Sequence, residues 1–169
     1  MTTPLPRPAF LVLAAVAALA SACAGRQPRP RVLPPAPEAA GTAIVRTAES
    51  LLGAPYREGG ALPDGFDCSG LVNYVFARHG IAVPRDVQRQ AAAGVPVARD
   101  EVRPGDLLFF STTGSGPTHV AIAIDGTRFI HAPKSGAVVR MESLTLSYWA
   151  TRFLEARRIL ASGPNPDMS

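Results

Sequence analysis

The chain has 169 residues, with 17 basic and 13 acidic side chains, a net charge of +4 and two cysteines. Much of the positive excess lies near the N-terminus, at Arg7, Arg26, Arg29 and Arg31. The residues from Thr42 onward are almost neutral and show no basic face with interleaved aromatic side chains, which excludes nucleic acid as a partner. Their number suits one domain with one hydrophobic core.

Residues 1–22 have the pattern of a signal peptide. An apolar run from Ala9 to Ala20 follows a weakly positive start and ends in small residues. Such a run is too short to span a membrane as a helix and suits secretory cleavage. Cys23 follows the expected cleavage point directly, as does the lipidated cysteine of a bacterial lipoprotein. We therefore expect a lipid anchor on Cys23. Ordinary cleavage, which would release a soluble protein, is the alternative.

The sequence after the signal divides into a tether, a domain and a tail. Residues 23–41 contain five prolines and three arginines and predict an extended, semi-rigid tether. We assign the domain to residues 42–160 and a flexible tail to residues 161–169. If Cys23 is lipidated, Cys68 has no disulfide partner, and an unpaired thiol in an exported protein favours a chemical role for it.

Within the domain, helical spacing of apolar residues gives way to short strand-like runs. The sequence predicts three helices, over residues 42–52, 68–79 and 87–93. It predicts four strands, over residues 107–110, 120–124, 128–131 and 138–141. The segment 148–158 is ambiguous between helix and strand. This order indicates an α+β domain in which N-terminal helices pack on a small antiparallel sheet.

Cys68 falls in the predicted first turn of the second helix. The positive end of the helix dipole and the free backbone N–H groups there favour thiolate over thiol, so Cys68 is a candidate nucleophile. A histidine elsewhere in the fold can accept the proton of such a thiol, and a second polar side chain can hold that histidine in place.

Two histidines lie on consecutive predicted strands, and the turn between the strands decides whether they meet. A two-residue turn would place His119 and His131 on opposite faces of the hairpin. A three-residue loop with Gly126 in the left-handed conformation would instead pair Ala123 with Thr127, and His119 would face His131 directly. Opposed side chains are close enough for an imidazole–imidazole hydrogen bond. A catalytic role therefore predicts the three-residue loop.

Five segments of the domain resemble the NlpC family of bacterial cell-wall cysteine endopeptidases, in the order and spacing of that family. They are Pro55–Gly60, Asp67–Gly70, Arg103–Phe110, His119–Ile122 and Phe129–Pro133. The resemblance implies a papain-like fold with the nucleophile at a helix N-terminus. It also implies that the protein requires no metal or cofactor.

The resemblance implies that Cys68 is the nucleophile, that His119 is its general base and that His131 orients His119. It further implies a substrate-binding role for three side chains, Tyr56, Asp67 and Ser69. The implied substrates are peptidoglycan stem peptides or their cross-links, cut at bonds that involve D-amino acids or diaminopimelate. The residues themselves leave all three of these roles open. Asp67 could serve only as the cap of the helix, Ser69 could likewise serve the helix start, and Tyr56 could be a boundary aromatic with its hydroxyl in water.

Several alternatives and expectations accompany this interpretation. A related thiol amidase or acyltransferase with a non-wall substrate would share the same residues, and a non-catalytic wall-binding lipoprotein would retain the fold. A zinc site is not expected, because the short ligand spacing typical of such sites is missing. Ala24 is not acidic, and by resemblance to enterobacterial lipoproteins we expect the periplasmic face of the outer membrane. We expect a monomer.

Overall fold

The computed structural model describes residues 37–159. The predicted signal peptide, Cys23, most of the predicted tether and the predicted tail at 161–169 lie outside these residues. Helix α1 spans Pro37–Glu49 and thus begins before Thr42, inside the segment predicted as tether. The tether prediction was wrong for residues 37–41, because Pro37 occupies the first position of the helix, which tolerates proline, and the alanines and Glu38 of the first turn favour a helix.

Helix α1 lies close to the turn that precedes the central strands. A Cβ atom on Gly41 would come within 2.1 Å of the carbonyl oxygen of Pro104, so only glycine permits this approach. The same face of α1 buries Ile44, Val45 and Ala48 in the core that it shares with the next helix. The helical spacing of these three apolar residues is the pattern that predicted α1.

The remaining helices are short. Helix α2 spans Cys68–Ala77 and ends two residues before the predicted end, and α3 spans Val87–Ala91 with Asp86 as its cap. Helix α4 spans Ser147–Ala150, and a 3₁₀ turn spans Arg99–Glu101. Among the helices within residues 37–159, none is long and apolar enough to cross a membrane.

Within the described residues, eight strands form two antiparallel sheets. A two-stranded ribbon pairs β1 with β2, which are Ala61–Leu62 and Gly65–Phe66. The main sheet has six strands in the order β3-β8-β4-β5-β6-β7. Their bounds are Val95–Val97 for β3, Leu107–Phe110 for β4, His119–Ala123 for β5, Arg128–His131 for β6, Arg140–Ser143 for β7 and Phe153–Arg158 for β8.

The structure resolves the two uncertain strand assignments. The ambiguous segment 148–158 contains the end of helix α4 and the whole of strand β8. The strand predicted over 138–141 begins two residues later, at Arg140. Val139 instead exchanges backbone hydrogen bonds with Gly53 and Ala54, at 2.9 and 2.8 Å. Its β-branched side chain suits an extended backbone, which the sequence pattern alone does not distinguish from a strand of the sheet.

Both faces of the main sheet are covered, so its central strands are apolar throughout. In β4, Leu107 and Phe109 pack towards helices α1 and α2, whereas Leu108 and Phe110 pack into a second cluster that includes Trp149. A strand buried on both faces has a continuous apolar sequence instead of an alternating one. Helices packed on an antiparallel sheet confirm the predicted α+β class.

Candidate active site

Asp67 caps helix α2 and places Cys68 in the first turn of that helix. The backbone of Asp67 is extended, and its Oδ1 accepts a hydrogen bond from the backbone N–H of Gly70 at 2.7 Å. A carboxylate in this position satisfies one of the N–H groups that a helix leaves unpaired at its start. The structure thus confirms the predicted helix start and shows that Asp67 is its cap.

Gly70 allows the start of α2 to approach the loop that precedes it. A Cβ atom on residue 70 would lie 2.0 Å from the carbonyl oxygen of Gly60, which is far inside contact distance. The same oxygen accepts a hydrogen bond from the backbone N–H of Asp67 at 3.0 Å. A glycine two residues after the cysteine is therefore required by the close contact of two backbone segments.

Arg85 completes this corner of the site, and sequence reasoning missed it. Its Nη2 donates to Oδ2 of Asp67 at 2.6 Å, and its Nη1 donates to Oδ1 of Asp67 at 2.9 Å and to Oγ of Ser69 at 2.8 Å. Arg85 lies in a loop 18 residues beyond Asp67, with no periodic pattern to mark it. The signal available in the sequence was Asp67 itself, since a carboxylate at a buried helix start needs a cationic partner.

The contacts of Asp67 and Ser69 lie largely within the protein. Burial alone would raise the pKa of Asp67, but hydrogen bonds from Arg85 and Gly70 outweigh it and lower the pKa below its ordinary value. Ser69 is buried, donates to Asp67 at 3.3 Å and accepts from Arg85. Both predicted substrate-binding side chains therefore also hold the helix start together.

Cys68 is less acidic than its position in the helix suggests. Burial raises the pKa of the Cys68 thiol, and the negative charge of Asp67 raises it further. The backbone N–H groups of Val120, Ser69 and Cys68 lower the pKa without offsetting the burial. Desolvation of the charged form therefore outweighs the effect of the helix terminus, which by itself favours the thiolate.

Tyr56 lies on the same side of the molecule as the nucleophile. Its side chain is half-buried against the helical core, and its backbone N–H donates to the carbonyl of Ala137 at 2.8 Å. Burial raises the pKa of the Tyr56 phenol, and the negative charges of Cys68, when it is ionised, and of Asp67 add to this effect. The structure therefore brings Tyr56 within electrostatic range of two other predicted site residues.

His119 and His131 form a buried hydrogen-bonded pair. Nε2 of His119 lies 2.8 Å from Nδ1 of His131, and the two ring planes are nearly perpendicular. The side chains are almost fully enclosed, at 4% and 0% exposure. His119 begins strand β5, and the backbone N–H of the next residue, Val120, interacts with Cys68. The structure therefore brings all three predicted catalytic residues into one region.

The loop that joins β5 to β6 differs from the prediction in its register. Ala123 pairs with Phe129, not with Thr127, and Gly126 does not adopt the left-handed conformation. The carboxylate of Asp125 forms the turn instead, since its Oδ1 accepts a hydrogen bond from the backbone N–H of Thr127 at 2.8 Å. Side-chain capping of this kind removes the need for a glycine with positive φ.

This register still places the two histidines on one face. Continued along the strands, it sets His131 across from Ala121, two residues beyond His119. The predicted direct opposition was wrong, but a shift of two residues in a strand preserves the face because side chains alternate with a period of two. Imidazole rings span the diagonal distance between such neighbours.

Both histidines are uncharged at rest. Burial lowers the pKa of His119 to about 3, and the neighbouring His131 contributes to this effect. Burial likewise lowers the pKa of His131 to about 3, with a further contribution from the positive charge of Arg140. A neutral imidazole carries one lone pair, so each histidine retains one nitrogen that can accept a proton or a hydrogen bond.

An aromatic and charged cluster surrounds the histidine pair. The Trp149 ring stacks on His119 with centroids 5.6 Å apart and meets His131 edge-on at 4.9 Å. The indole N–H of Trp149 donates to Oε2 of Glu142. Arg140 donates to the other carboxylate oxygen, from Nε at 2.6 Å and from Nη2 at 2.5 Å. Sequence reasoning identified none of these three residues as part of the site.

A cleft of about 430 Å³ opens beside His119. Its volume is within the range of small-ligand sites, and its lining combines aromatic, hydroxyl and charged side chains. The lining residues are Thr112, Thr113, His119, Pro133, Lys134, Arg140, Glu142, Leu146, Tyr148 and Trp149. Within residues 37–159, no group of three or more His, Cys, Asp or Glu side chains is placed to hold a metal ion.

Comparison with known proteins identifies the family. The model of the NlpC/P60 family matches residues 53–158. The chain belongs to this family. The match begins shortly after helix α1 and extends to the end of strand β8, so it includes Cys68, His119 and His131.

Relatives and solved structures agree with this assignment. The chain is 40% identical to gamma-DL-glutamyl hydrolase of Bacillus subtilis over 129 residues, which cover 74% of this chain and 31% of that protein. It is 39% identical to murein DD-endopeptidase MepH of Escherichia coli, with 64% of this chain and 42% of the relative covered. A crystal structure of an NlpC/P60 family protein from Bacillus cereus matches with a TM-score of 0.68 and 34% identity, covering 76% and 42% of the two chains. The chain thus spans less than half the length of each of these proteins.

Proposed function

We propose that this protein is a cysteine endopeptidase that hydrolyses peptide bonds in peptidoglycan stem peptides or their cross-links. The observation that carries the proposal is the buried His119–His131 hydrogen bond next to the helix that begins at Cys68. The names of two relatives support the substrate class, since one is a gamma-DL-glutamyl hydrolase and the other a murein endopeptidase. Membership of the NlpC/P60 family supports the reaction type.

The first step is attack by Cys68 on the carbonyl carbon of the scissile bond. Because Nε2 of His119 is bonded to His131, Nδ1 is the nitrogen that remains to accept the thiol proton. The thiol and the imidazole are both neutral at rest, so the proton moves as the sulfur–carbon bond forms. The oxyanion accepts a hydrogen bond from the backbone N–H of Cys68, at the helix start.

The second step releases the amine and then the acid. His119 returns its proton to the leaving nitrogen as the carbon–nitrogen bond breaks, which leaves a thioester on Cys68. Water then attacks the thioester, His119 takes a proton from this water, and the thiol is regenerated. The cleft beside His119 is the place for the departing peptide, because the imidazole that protonates the amine lies in its wall.

The residues near the start of α2 bind the part of the substrate that becomes the acyl group. Tyr56 offers a phenol within electrostatic range of Cys68, and Asp67 offers the carboxylate for a peptide amine. Ser69 contributes by holding Asp67 and Arg85 in place. Gamma-DL-glutamyl and DD bonds are both represented among the relatives' names, so the bond that is cut must be measured.

The test is digestion of purified sacculi and defined muropeptides by the purified full chain, with products read by liquid chromatography and mass spectrometry. We expect loss of cross-linked dimers or shortening of stem peptides, and the new termini will identify the bond. Cys68→Ala should abolish this activity, whereas Cys23→Ala, which changes the other cysteine, should retain it. Equal cleavage by the Cys68→Ala protein would refute the assignment of the nucleophile.

We further propose that the protein acts as a monomer on the periplasmic face of the outer membrane, held there by a lipid on Cys23. The support is the sequence alone, because Cys23 follows an apolar run that ends in small residues. Metabolic labelling with an alkyne fatty acid, followed by membrane fractionation, tests the anchor. Label that is lost in Cys23→Ala supports it, and an unlabelled soluble protein would contradict it. Light scattering of the purified chain tests the monomer.

A further inference from the structure

Within residues 37–159, one ring nitrogen of the buried His131 side chain has no hydrogen-bond partner. Its Nδ1 bonds to His119, whereas its Nε2 is enclosed and unpaired. Buried polar atoms in native proteins nearly always have a partner, so an unpaired one calls for an explanation, and a catalytic role is one of those that apply. Oε1 of Glu142 lies 3.6 Å from this nitrogen, slightly beyond hydrogen-bond distance.

The sheet places Glu142 on the same face as the histidine pair. In the β6–β7 register, His131 is paired with Arg140, and Phe129 with Glu142. Side chains directly opposed on neighbouring strands share a face, so both charged residues of β7 lie beside the histidines. The carboxylate is also fixed, since Arg140 donates to Oε1 and Trp149 donates to Oε2.

A carboxylate in this place determines where the protons of both imidazoles lie. An ionised carboxylate only accepts hydrogen bonds, so it favours the tautomer of His131 with its proton on Nε2. Nδ1 of His131 is then an acceptor, and Nε2 of His119 must donate to it. His119 therefore has its lone pair on Nδ1, the nitrogen that remains to take the proton of Cys68.

We propose that Glu142 is a positioning residue that sets the tautomers of both histidines and stabilises the positive charge that His119 acquires from Cys68, while Arg140 moderates this effect. The inference rests on the proposed thiol endopeptidase activity and deepens it. Glu142 itself does not touch the reacting atoms. It acts through His131, whose Nε2 lies 3.6 Å from Oε1 of the carboxylate.

The electrostatics of the cluster agree with this role. Burial and the neighbouring His131 lower the pKa of His119, and Glu142 is the group that opposes them. Arg140 acts in the other direction on His131. The titratable and charged side chains that line the cleft with His119 are Lys134, Arg140, Glu142 and Tyr148. Cys68 interacts with the backbone N–H of Val120, the residue after His119.

The test compares the pH profile of kcat/KM for the wild type, Glu142→Gln and Arg140→Met with a muropeptide substrate. The acid limb reports protonation of His119 in the free enzyme. Removing the negative charge of Glu142 should lower the pKa of His119, so the acid limb should move to lower pH. It should also lower the plateau of kcat/KM about tenfold, since one pKa unit corresponds to a tenfold change in protonation. Removing the positive charge of Arg140 should move the limb to higher pH. Opposite shifts distinguish an electrostatic role from loss of packing.

The matched control is Glu155→Gln. Glu155 also lies on a strand and pairs with an arginine two residues away, Arg157, at 2.8 Å. Its substitution should leave the pH profile unchanged. Unchanged limbs in both Glu142→Gln and Arg140→Met, or a shift of the same sign in both, would overturn the proposal. If Glu142→Gln does not fold, the imidazole tautomers of the wild type decide the proposal, because a proton on Nδ1 of His119 would overturn it.

A second measurement does not require activity. Two-bond proton–nitrogen NMR spectra of the imidazoles identify which nitrogen of each histidine is protonated. We expect the Nε2–H tautomer for His119 and His131 in the wild type and a mixed or altered pattern in Glu142→Gln. Identical spectra in the two proteins would refute tautomer control by Glu142. A chain that cleaves no muropeptide but shows the tautomer change would refute the proposed function alone.

Discussion

The start of helix α2 and the β5–β6 hairpin contribute to one site but are stabilised by different interactions. The nucleophile half, which consists of Asp67–Gly70 and Arg85, is built from ion pairs and backbone hydrogen bonds at a partly exposed helix terminus. The histidine half consists of His119, His131, Trp149 and Glu142. It is buried, aromatic and uncharged at the imidazoles.

This difference separates two tasks of the site. In the nucleophile half, the negative charge of Asp67 is neutralised by a direct ion pair, because Arg85 donates hydrogen bonds to both oxygens of its carboxylate. In the histidine half, one ring nitrogen of His131 is left unpaired beside Glu142. The first half therefore fixes the position of the thiol. The second keeps a pair of neutral bases ready to receive a proton.

The largest effect is expected from removing the base of the histidine half. His119→Ala should reduce kcat/KM on muropeptides by roughly 10²–10⁴-fold, the usual contribution of general acid–base catalysis. The control is His79→Ala, because His79 is exposed and its Nε2 bonds to Thr47 at 2.8 Å, outside the cluster around the histidine pair. Comparable activity in His119→Ala and His79→Ala would show that the histidine half does not supply the base.

An intermediate effect is expected from opening the ion pair of the nucleophile half. Arg85→Met leaves the carboxylate of Asp67 without its cationic partner and should lower the free energy of unfolding by about 1–2 kcal/mol, after allowance for solvent screening. Catalysis should also fall, because the helix start that carries Cys68 loosens. Arg89→Met is the control, since Arg89 is largely exposed and pairs only with Asp86. Equal unfolding midpoints in urea for the two variants would contradict the role assigned to Arg85.

The smallest effect concerns the turn that sets the register of the histidine half. Burial alone would raise the pKa of Asp125, but hydrogen bonds from Thr127 and Arg128 lower it to about 2. A depressed pKa contributes stability that is complete above the ordinary value of 3.8 and is lost as pH falls towards 2. Asp125→Asn should therefore lower Tm by a few degrees at neutral pH, from a change of about 1 kcal/mol or less.

The pH dependence supplies the check on this turn. The difference in Tm between the wild type and Asp125→Asn should shrink as the pH is lowered from 5 to 2, because the native carboxylate becomes protonated in that window. The control is Asp64→Asn, which removes an ion pair of 2.7 Å to Arg57 that is open to solvent on both sides. A difference for Asp125→Asn that does not change with pH would mean that its charge is not what holds the turn.

The sequence predicted most of the elements that carry the site, because these depend on local patterns. The aspartate before Cys68 is a cap, and the apolar spacing after it is helical, so the start of α2 could be predicted. The predicted pairing of β5 with β6 was wrong by two residues. A shift by an even number of residues leaves every side chain on the same face, so the prediction that His119 and His131 share a face was correct. The prediction of the β5–β6 turn was wrong because the side chain of Asp125, which accepts a hydrogen bond from the backbone N–H of Thr127, forms the turn.

What the sequence did not predict depends on contacts between distant segments. Arg85, Trp149 and Glu142 enter the site from three separate elements, and none has a neighbour in the chain that marks its role. The raised pKa of the Cys68 thiol has the same origin. A helix N-terminus can be recognised from sequence, but the burial that opposes its effect arises from packing against β5.

The most direct test of the account is whether a thioester forms on Cys68 during turnover. The purified chain is mixed with a defined muropeptide, quenched in acid within milliseconds to seconds, and analysed by intact-protein mass spectrometry followed by peptide mapping. The account predicts a transient adduct on Cys68 with the mass of the acyl fragment, absent from Cys68→Ala. Turnover at full rate without any adduct on Cys68, in the wild type or in a variant with slowed hydrolysis, would contradict it.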